Sequence, residues 1–127
     1  MTSAAPDVLC PVTVVGGANM DISAKAGSLM RAGDSTPGAI HYSPGGVGRN
    51  IAENLARLGI AVDLLSVVGD DAFGKQVLAS TAEAGVGVSS VVTVPGQRTA
   101  TYLAMHQPDG EVAMAVNDMG ILESLTP

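Results

Sequence analysis

The chain of 127 residues is long enough for one domain with a substantial core, and 46% hydrophobic against 14% charged residues excludes a disordered chain. A net charge of −6, six scattered Lys and Arg and almost no aromatic residues exclude a basic, base-stacking surface for a nucleic-acid polymer. No apolar run approaches the roughly 18 residues of a membrane span. The leader has neither a basic nor an apolar region and Cys10 stands alone, so the expectation is a cytoplasmic protein without an internal disulfide.

Val12-Thr13-Val14-Val15 is a β-branched apolar run and predicts a short strand buried on both faces. Gly16-Gly17 stops it. Asn19 and Asp21 follow at the carboxyl end of that strand, the edge where open α/β sheets bind ligands. Residues 22–43 carry little helical periodicity and several breakers, and read as an excursion from the sheet with a strand over Ala39–Tyr42. A helix is predicted from Val47 to Leu58, with Ile51, Leu55 and Leu58 on its inner face and Gly59 just past its end.

Val62–Val68 reads as the next strand. Asp70 or Asp71 then caps a second helix, with Phe73, Val77, Leu78 and Ala82 facing inward and Gly85 as the stop. Strand, helix, strand, helix in this order predicts parallel pairing. Val86–Val94 and Thr99–His106 look extended, and the turn Gln107-Pro108-Asp109-Gly110 returns the chain through Glu111–Val116 as a hairpin. Asn117-Asp118-Met119-Gly120 is expected to break that strand, with a helix beginning over Ile121–Leu125.

Ser43-Pro44-Gly45-Gly46-Val47-Gly48 is a glycine-rich turn opening a helix. Its glycines let the backbone approach a ligand, and the helix aims unpaired N–H groups at it, which suits a phosphate or a hydroxylated compound. A Walker loop is excluded, because Arg49-Asn50 stands where Lys-Ser/Thr would be. A dinucleotide-binding turn is the alternative: Gly46-x-Gly48 precedes a helix, with Asp70 about 20 residues on as a ribose-binding acid. Against it, Ile51 fills the third small position and the preceding strand is polar. A purely structural Gly-Gly turn weighs about evenly with function until Asn19 and Asp21 are added. A carboxylate and an amide facing that turn can clasp vicinal hydroxyls.

Gly17-Ala18-Asn19-Met20-Asp21, then Pro44–Ala52, then Leu58-Gly59, then Val67–Gly74, in this order, resemble the amino-terminal half of the ribokinase-like (PfkB) sugar kinases. Arg49 in the glycine motif and Val116-Asn117-Asp118-Met119 resemble most the pseudouridine kinase branch. The resemblance implies a doubly wound α/β fold with a small β-sheet lid, here residues 1–127 as the amino-terminal part with lid segments at about 22–43 and 98–116. It implies transfer of a phosphoryl group from ATP, with Mg2+, to the 5′-hydroxyl of a ribosyl substrate.

By the same resemblance Asn19, Asp21, Gly45, Gly46 and Asn50 bind the sugar, and Thr101, Asn117 and Asp118 are candidates for sugar or base. For the last three, a solvated strand residue and helix caps are equally good readings. The family's catalytic Asp motif has no counterpart here, so neither the catalytic base nor the ATP site is expected in these residues, and the remainder of a kinase chain is. A non-catalytic sugar- or nucleoside-binding module is the alternative. An exposed lid edge invites pairing with a second copy.

Overall fold

The structure, a computed structural model, describes residues 12–126; the leader and Cys10 lie outside the described residues. Three parallel strands form the first sheet: β1 (Val12–Val15), β4 (Val62–Gly69) and β5 (Val91–Val94), in the order β1-β4-β5. Four strands form the second, β2 (Asn19–Ala26), β3 (Gly38–Gly45), β6 (Thr101–His106) and β7 (Val112–Asp118), in the order β3-β2-β6-β7. β2 runs antiparallel to β3 and parallel to β6, and β6–β7 is the hairpin.

Two helices, α1 (Val47–Arg57) and α2 (Ala72–Glu83), pack on the face of β4 that carries Val62, Leu64 and Val68. Both end in a left-handed glycine. Gly59 (φ 81°) follows α1, with its N–H donating to Ala56 and that of Ile60 to Leu55. Gly85 (φ 90°) closes α2 the same way through Ala82 and Thr81. These are the paired carbonyl bonds of a glycine-terminated helix, and only glycine takes that φ without strain. The opposite face of β4 offers Val67 to a short 3-10 helix (Gly120–Ser124) through Ile121 and Leu122.

Four expectations need correction. Among the described residues β1 has one neighbour, β4, so Val15 is 62% exposed and only Val14 of the strand packs on the core. The second sheet begins at Asn19, because Met20 is fully buried and its N–H donates to Ala100 at 2.9 Å, which starts the period-two alternation there. β7 continues through Asn117 and Asp118, held in register opposite Tyr102 and Thr101, and a 3-10 turn follows in place of an α-helix. Between Val86 and Val94 only Val91–Val94 joins the ladder, with Gly87 making a single bridge to Asp63.

The inner stripe of α1 also differs: Gly48, Arg49 and Ala52 are buried, while Ile51 and Leu58 lie exposed. The cause is backbone proximity. A Cβ on Gly48 would lie 2.7 Å from the Gly16 backbone, so the helix rotates its glycine face onto the β1–β2 link. Apolar periodicity alone cannot register such a contact.

Asp71 caps α2 and ties the two sheets together. Its Oδ1 accepts from Gly74 N–H at 2.8 Å and from the Thr99 hydroxyl at 2.5 Å, and its Oδ2 accepts from Thr99 N–H at 2.9 Å. The Thr99 oxygen in turn accepts from Gly69 N–H at the end of β4. Burial pushes the Asp71 carboxyl up, but the bonds from Thr99 and Gly74 outweigh it and hold its pKa below the ordinary 3.8. A carboxyl with a depressed native pKa stabilises the fold above its unfolded pKa and loses that stabilisation as pH falls through the native value. Asp71→Ala should therefore cost about 2 kcal/mol at neutral pH. In urea titrations across pH, the gap between wild type and variant should narrow below about pH 4. A gap independent of pH would show that the charged form is not what Thr99 and Gly74 recognise.

Candidate functional site

Two backbone links meet where the sheets join. Gly16-Gly17 leaves β1, Gly45-Gly46 leaves β3, and the Arg49 N–H at the start of α1 donates to Gly17 at 3.1 Å. Gly46 has φ 100°, and a Cβ there would stand 2.5 Å from the Gly17 carbonyl oxygen and 2.8 Å from Ala18 Cα. Both features demand glycine. The contact sets Asn19, the first residue of β2, opposite Gly45, the last of β3.

On this frame the Asn19 amide nitrogen donates to Asp21 Oδ1 at 2.6 Å. A carboxylate only accepts, so Asn19 turns its nitrogen to Asp21 and keeps its own oxygen free as an acceptor. Asp21 Oδ2 lies against Gly45, in space that any side chain at 45 would take. Asn19 is buried and Asp21 half-buried, and Asp21 retains lone pairs for further donors. Chemically, such a pair can accept hydrogen bonds from hydroxyl groups.

Asn50 stands in the first turn of α1, exposed, with its N–H bonded to Gly46. Its neighbour Arg49 is buried and fully engaged. Nε donates to the Thr81 hydroxyl at 2.9 Å, Nη2 to Ser80 at 3.2 Å, and Nη1 to the Pro44 carbonyl and to Asn50 Oδ1, both at 3.3 Å. Nη1 also pairs with Glu53 at 2.8 Å. A hydrogen bond from Arg57 first, and then the Arg49 charge, hold the Glu53 carboxyl below its ordinary value despite desolvation.

Strand alternation sorts the remaining candidates. Tyr102 and Ser43 are the partners of Asp21, and Asn117 is the partner of Tyr102, so these four share one face of the second sheet. Thr101 pairs with Met20 and with Asp118, which puts both on the opposite face, where Tyr42 meets Phe73 of α2 with ring centroids 6.0 Å apart. The Thr101 hydroxyl bonds the Thr99 carbonyl, and Asp118 reaches the exposed Arg98 at 3.4 Å. The structure thus gathers Asn19, Asp21, Gly45, Gly46 and Asn50 at one junction and sets Asn117 on the same sheet face. It does not bring Thr101 and Asp118 to that face. Arg49 and Tyr102 are the additions; two-residue alternation from Asp21 across the hairpin points to the second, while no local pattern marks the first.

The dinucleotide alternative does not fit. Its glycine turn should follow a parallel buried strand, whereas β3 is an antiparallel edge strand of the second sheet. Asp70 Oδ1 accepts from the Gly96 N–H, not from a position beside the turn. Among the described residues no three His, Cys, Asp or Glu side chains converge on one point. No described helix is long and apolar enough to cross a membrane.

The sequence profile of the pfkB family carbohydrate kinases matches residues 11–127. A sugar kinase of Escherichia coli strain K12 named YeiI, described as uncharacterised, is 53% identical over 114 residues, 90% of this chain and 32% of that protein. Pseudouridine kinase of the same strain is 44% identical over 115 residues, 91% of this chain and 37% of that protein. Arabidopsis thaliana ribokinase complexed with ribose and ATP superposes with a TM-score of 0.77 at 28% identity, covering 85% of this chain and 35% of that one. The chain spans about a third of the length of the relatives it matches. Two sheets joined at a pair of glycine links, matched in structure to ribokinase and in sequence across residues 11–127, place the chain in the pfkB family of carbohydrate kinases.

Proposed function

We propose that this chain is the acceptor-binding part of a kinase that phosphorylates the 5′-hydroxyl of a ribosyl substrate, with pseudouridine as the preferred acceptor. The observation that carries it is the clasp: Asn19 and Asp21 locked together over the bare Gly45. The 44% identity to a pseudouridine kinase supports the choice of nucleoside. ATP supplies the phosphoryl group, with Mg2+, in a part of the enzyme other than these residues. Here the work is binding and orientation. Asp21 accepts from sugar hydroxyls, Asn19 offers its amide oxygen, Gly45 and Gly46 let the sugar reach the backbone, and Asn50 donates from the helix. Asn117 and Tyr102 face the ligand from the hairpin. Thr101 and Asp118 lie on the other face of the sheet, so this reading gives them no direct contact with the ligand.

The second reading, a binding module without catalysis, draws on the same clasp and on a sequence with no counterpart of the family's catalytic Asp motif. Calorimetry and a phosphorylation assay on the 127-residue chain separate the options. The expected result is saturable pseudouridine binding and no ATP-dependent phosphorylation. Turnover by the chain alone would overturn the division of labour. A complete kinase that contains this chain and still turns nothing over would favour the binding module.

Two glycine variants distinguish site from scaffold. Gly45→Ala should fold nearly as well as wild type, since its new methyl meets the movable Asp21 carboxylate first, but should displace that carboxylate and weaken binding as Asp21→Ala does. Loss of one charge-assisted hydroxyl bond corresponds to about 1.5–3 kcal/mol. Gly46→Ala should instead unfold at lower denaturant, because positive φ and fixed backbone leave its methyl nowhere to go. Equal thermal stability of the two variants would contradict this assignment.

β7 leaves the outer edge of the second sheet open, with all seven residues exposed and Val116 at 68%. An open, apolar edge favours pairing with a second copy. Sedimentation should show a dimer that Val116→Lys dissociates, and a monomer at all concentrations would rule the pairing out.

A further inference from the structure

Arg49 is 4% exposed, and its guanidinium reaches three elements of the site at once: the Pro44 carbonyl in β3, Asn50 and Glu53 on α1, and Ser80 and Thr81 on α2. One of these contacts has a chemical consequence for the ligand. A guanidinium has donors and no acceptor, so the atom of Asn50 that meets Nη1 at 3.3 Å is the amide oxygen. The Asn50 nitrogen then remains for a ligand, so this exposed side chain offers a donor.

We infer that Arg49 is a positioning residue that fixes the Asn50 amide with its nitrogen toward the acceptor substrate. The clasp side of the site is made of acceptors, Asp21 Oδ2 and the free Asn19 oxygen. A donor on the helix side completes the pattern. A sugar hydroxyl donates to Asp21 and accepts from Asn50 at the same time, which an ether, a methylated hydroxyl or a bare methylene cannot do. Arg49 therefore selects for free hydroxyl groups without touching them. The inference rests on the acceptor-binding reading of the clasp.

Geometry explains why arginine is needed. Thr81 donates its hydroxyl proton to Val77 at 2.6 Å, which leaves its lone pairs for Arg49 Nε. Two planar ends then point at Ser80 on one side and at Pro44, Asn50 and Glu53 on the other. A lysine carries one ammonium with three donors and no fork. It can hold Glu53, but it cannot also span Thr81 and Asn50.

The test is a double-mutant cycle on pseudouridine affinity, measured by calorimetry on the 127-residue chain. Asn50→Ala should weaken binding about tenfold, near the upper end for one hydrogen bond. Arg49→Lys should weaken it by a similar factor, and should have no further effect in the Asn50→Ala background. Additive losses, or an unchanged affinity in Arg49→Lys, would overturn the inference. Asn50→Asp serves if the lysine variant fails to fold, because it keeps a partner for Arg49 and swaps the outward donor for an acceptor. It should bind no better than Asn50→Ala, and wild-type affinity in that variant would also overturn the inference. Side-chain amide NMR on the ligand-free chain gives a separate readout. Asn50 should show one ordered amide pair in wild type that becomes motionally averaged in Arg49→Lys. An amide already averaged in wild type overturns the positioning role, whereas an ordered amide in a chain that binds no pseudouridine overturns the acceptor-binding reading instead.

Discussion

The site depends on one steric constraint, the approach of the link leaving β1 to the turn that opens α1. Gly16 and Gly48 are close enough that a methyl on Gly48 would sit 2.7 Å from backbone atoms, and Gly46 is pressed against Gly17 in the same way. One hydrogen bond, from Arg49 N–H to the Gly17 carbonyl, seals the contact. Everything functional follows from that distance. It pulls the start of β2 beside the end of β3, so Asn19 and Gly45 become register partners, and it sets the first turn of α1 over both. Side chains at these glycines would separate the carboxylate from the helix and leave two half-sites.

Holding the two halves in fixed orientation falls to a buried charge. An isolated guanidinium in the interior would cost several kcal/mol, so its burial is tolerable only because every edge of it is matched. Glu53 neutralises it at 2.8 Å, and two hydroxyls, a carbonyl and an amide oxygen take the other directions. The arrangement contributes less to net stability than to specification. A hydrophobic residue of similar size would fill the volume, but it would leave Asn50 free to turn and the Pro44 carbonyl without a donor. The Asp71–Thr99–Gly69 latch does the corresponding work at the other sheet junction, where the β4 end, the α2 start and the approach to β6 share one carboxylate and one hydroxyl.

Much of this was legible in the residues. Glycine punctuation located α1, α2 and the hairpin turn, and β-branched runs located β1 and β4, because those signals are local. The Asn19–Asp21–Gly45 grouping was legible too, through motif order. What escaped depends on distant neighbours. β1 reads as buried but has a single neighbour among the described residues, a matter of strand order that Val12–Val15 cannot encode. Ile51 and Leu58 read as the inner face of α1, yet a glycine contact and a buried arginine rotate them outward. Asn117 and Asp118 look like strand breakers until the register opposite Tyr102 and Thr101 is known. That register also separates Thr101 from the clasp, since one residue along a strand reverses the face.

What surrounds the glycine turn favours a hydroxyl over a phosphate. A phosphate cradle needs free N–H groups at a helix start and no opposing charge. At α1 the Arg49 N–H is already bonded to Gly17, and the nearest arginine is neutralised by Glu53. The Asp21 carboxylate lies directly against Gly45. Two like charges 4 Å apart repel by about 4 kcal/mol at an effective dielectric of 20. One charge-assisted backbone hydrogen bond at the turn, about 1.5–3 kcal/mol, does not return that. An uncharged hydroxyl meets no such penalty, and it gains a charged acceptor on one side and an amide donor on the other. The surroundings of the turn therefore suit an uncharged hydroxyl better than a phosphate.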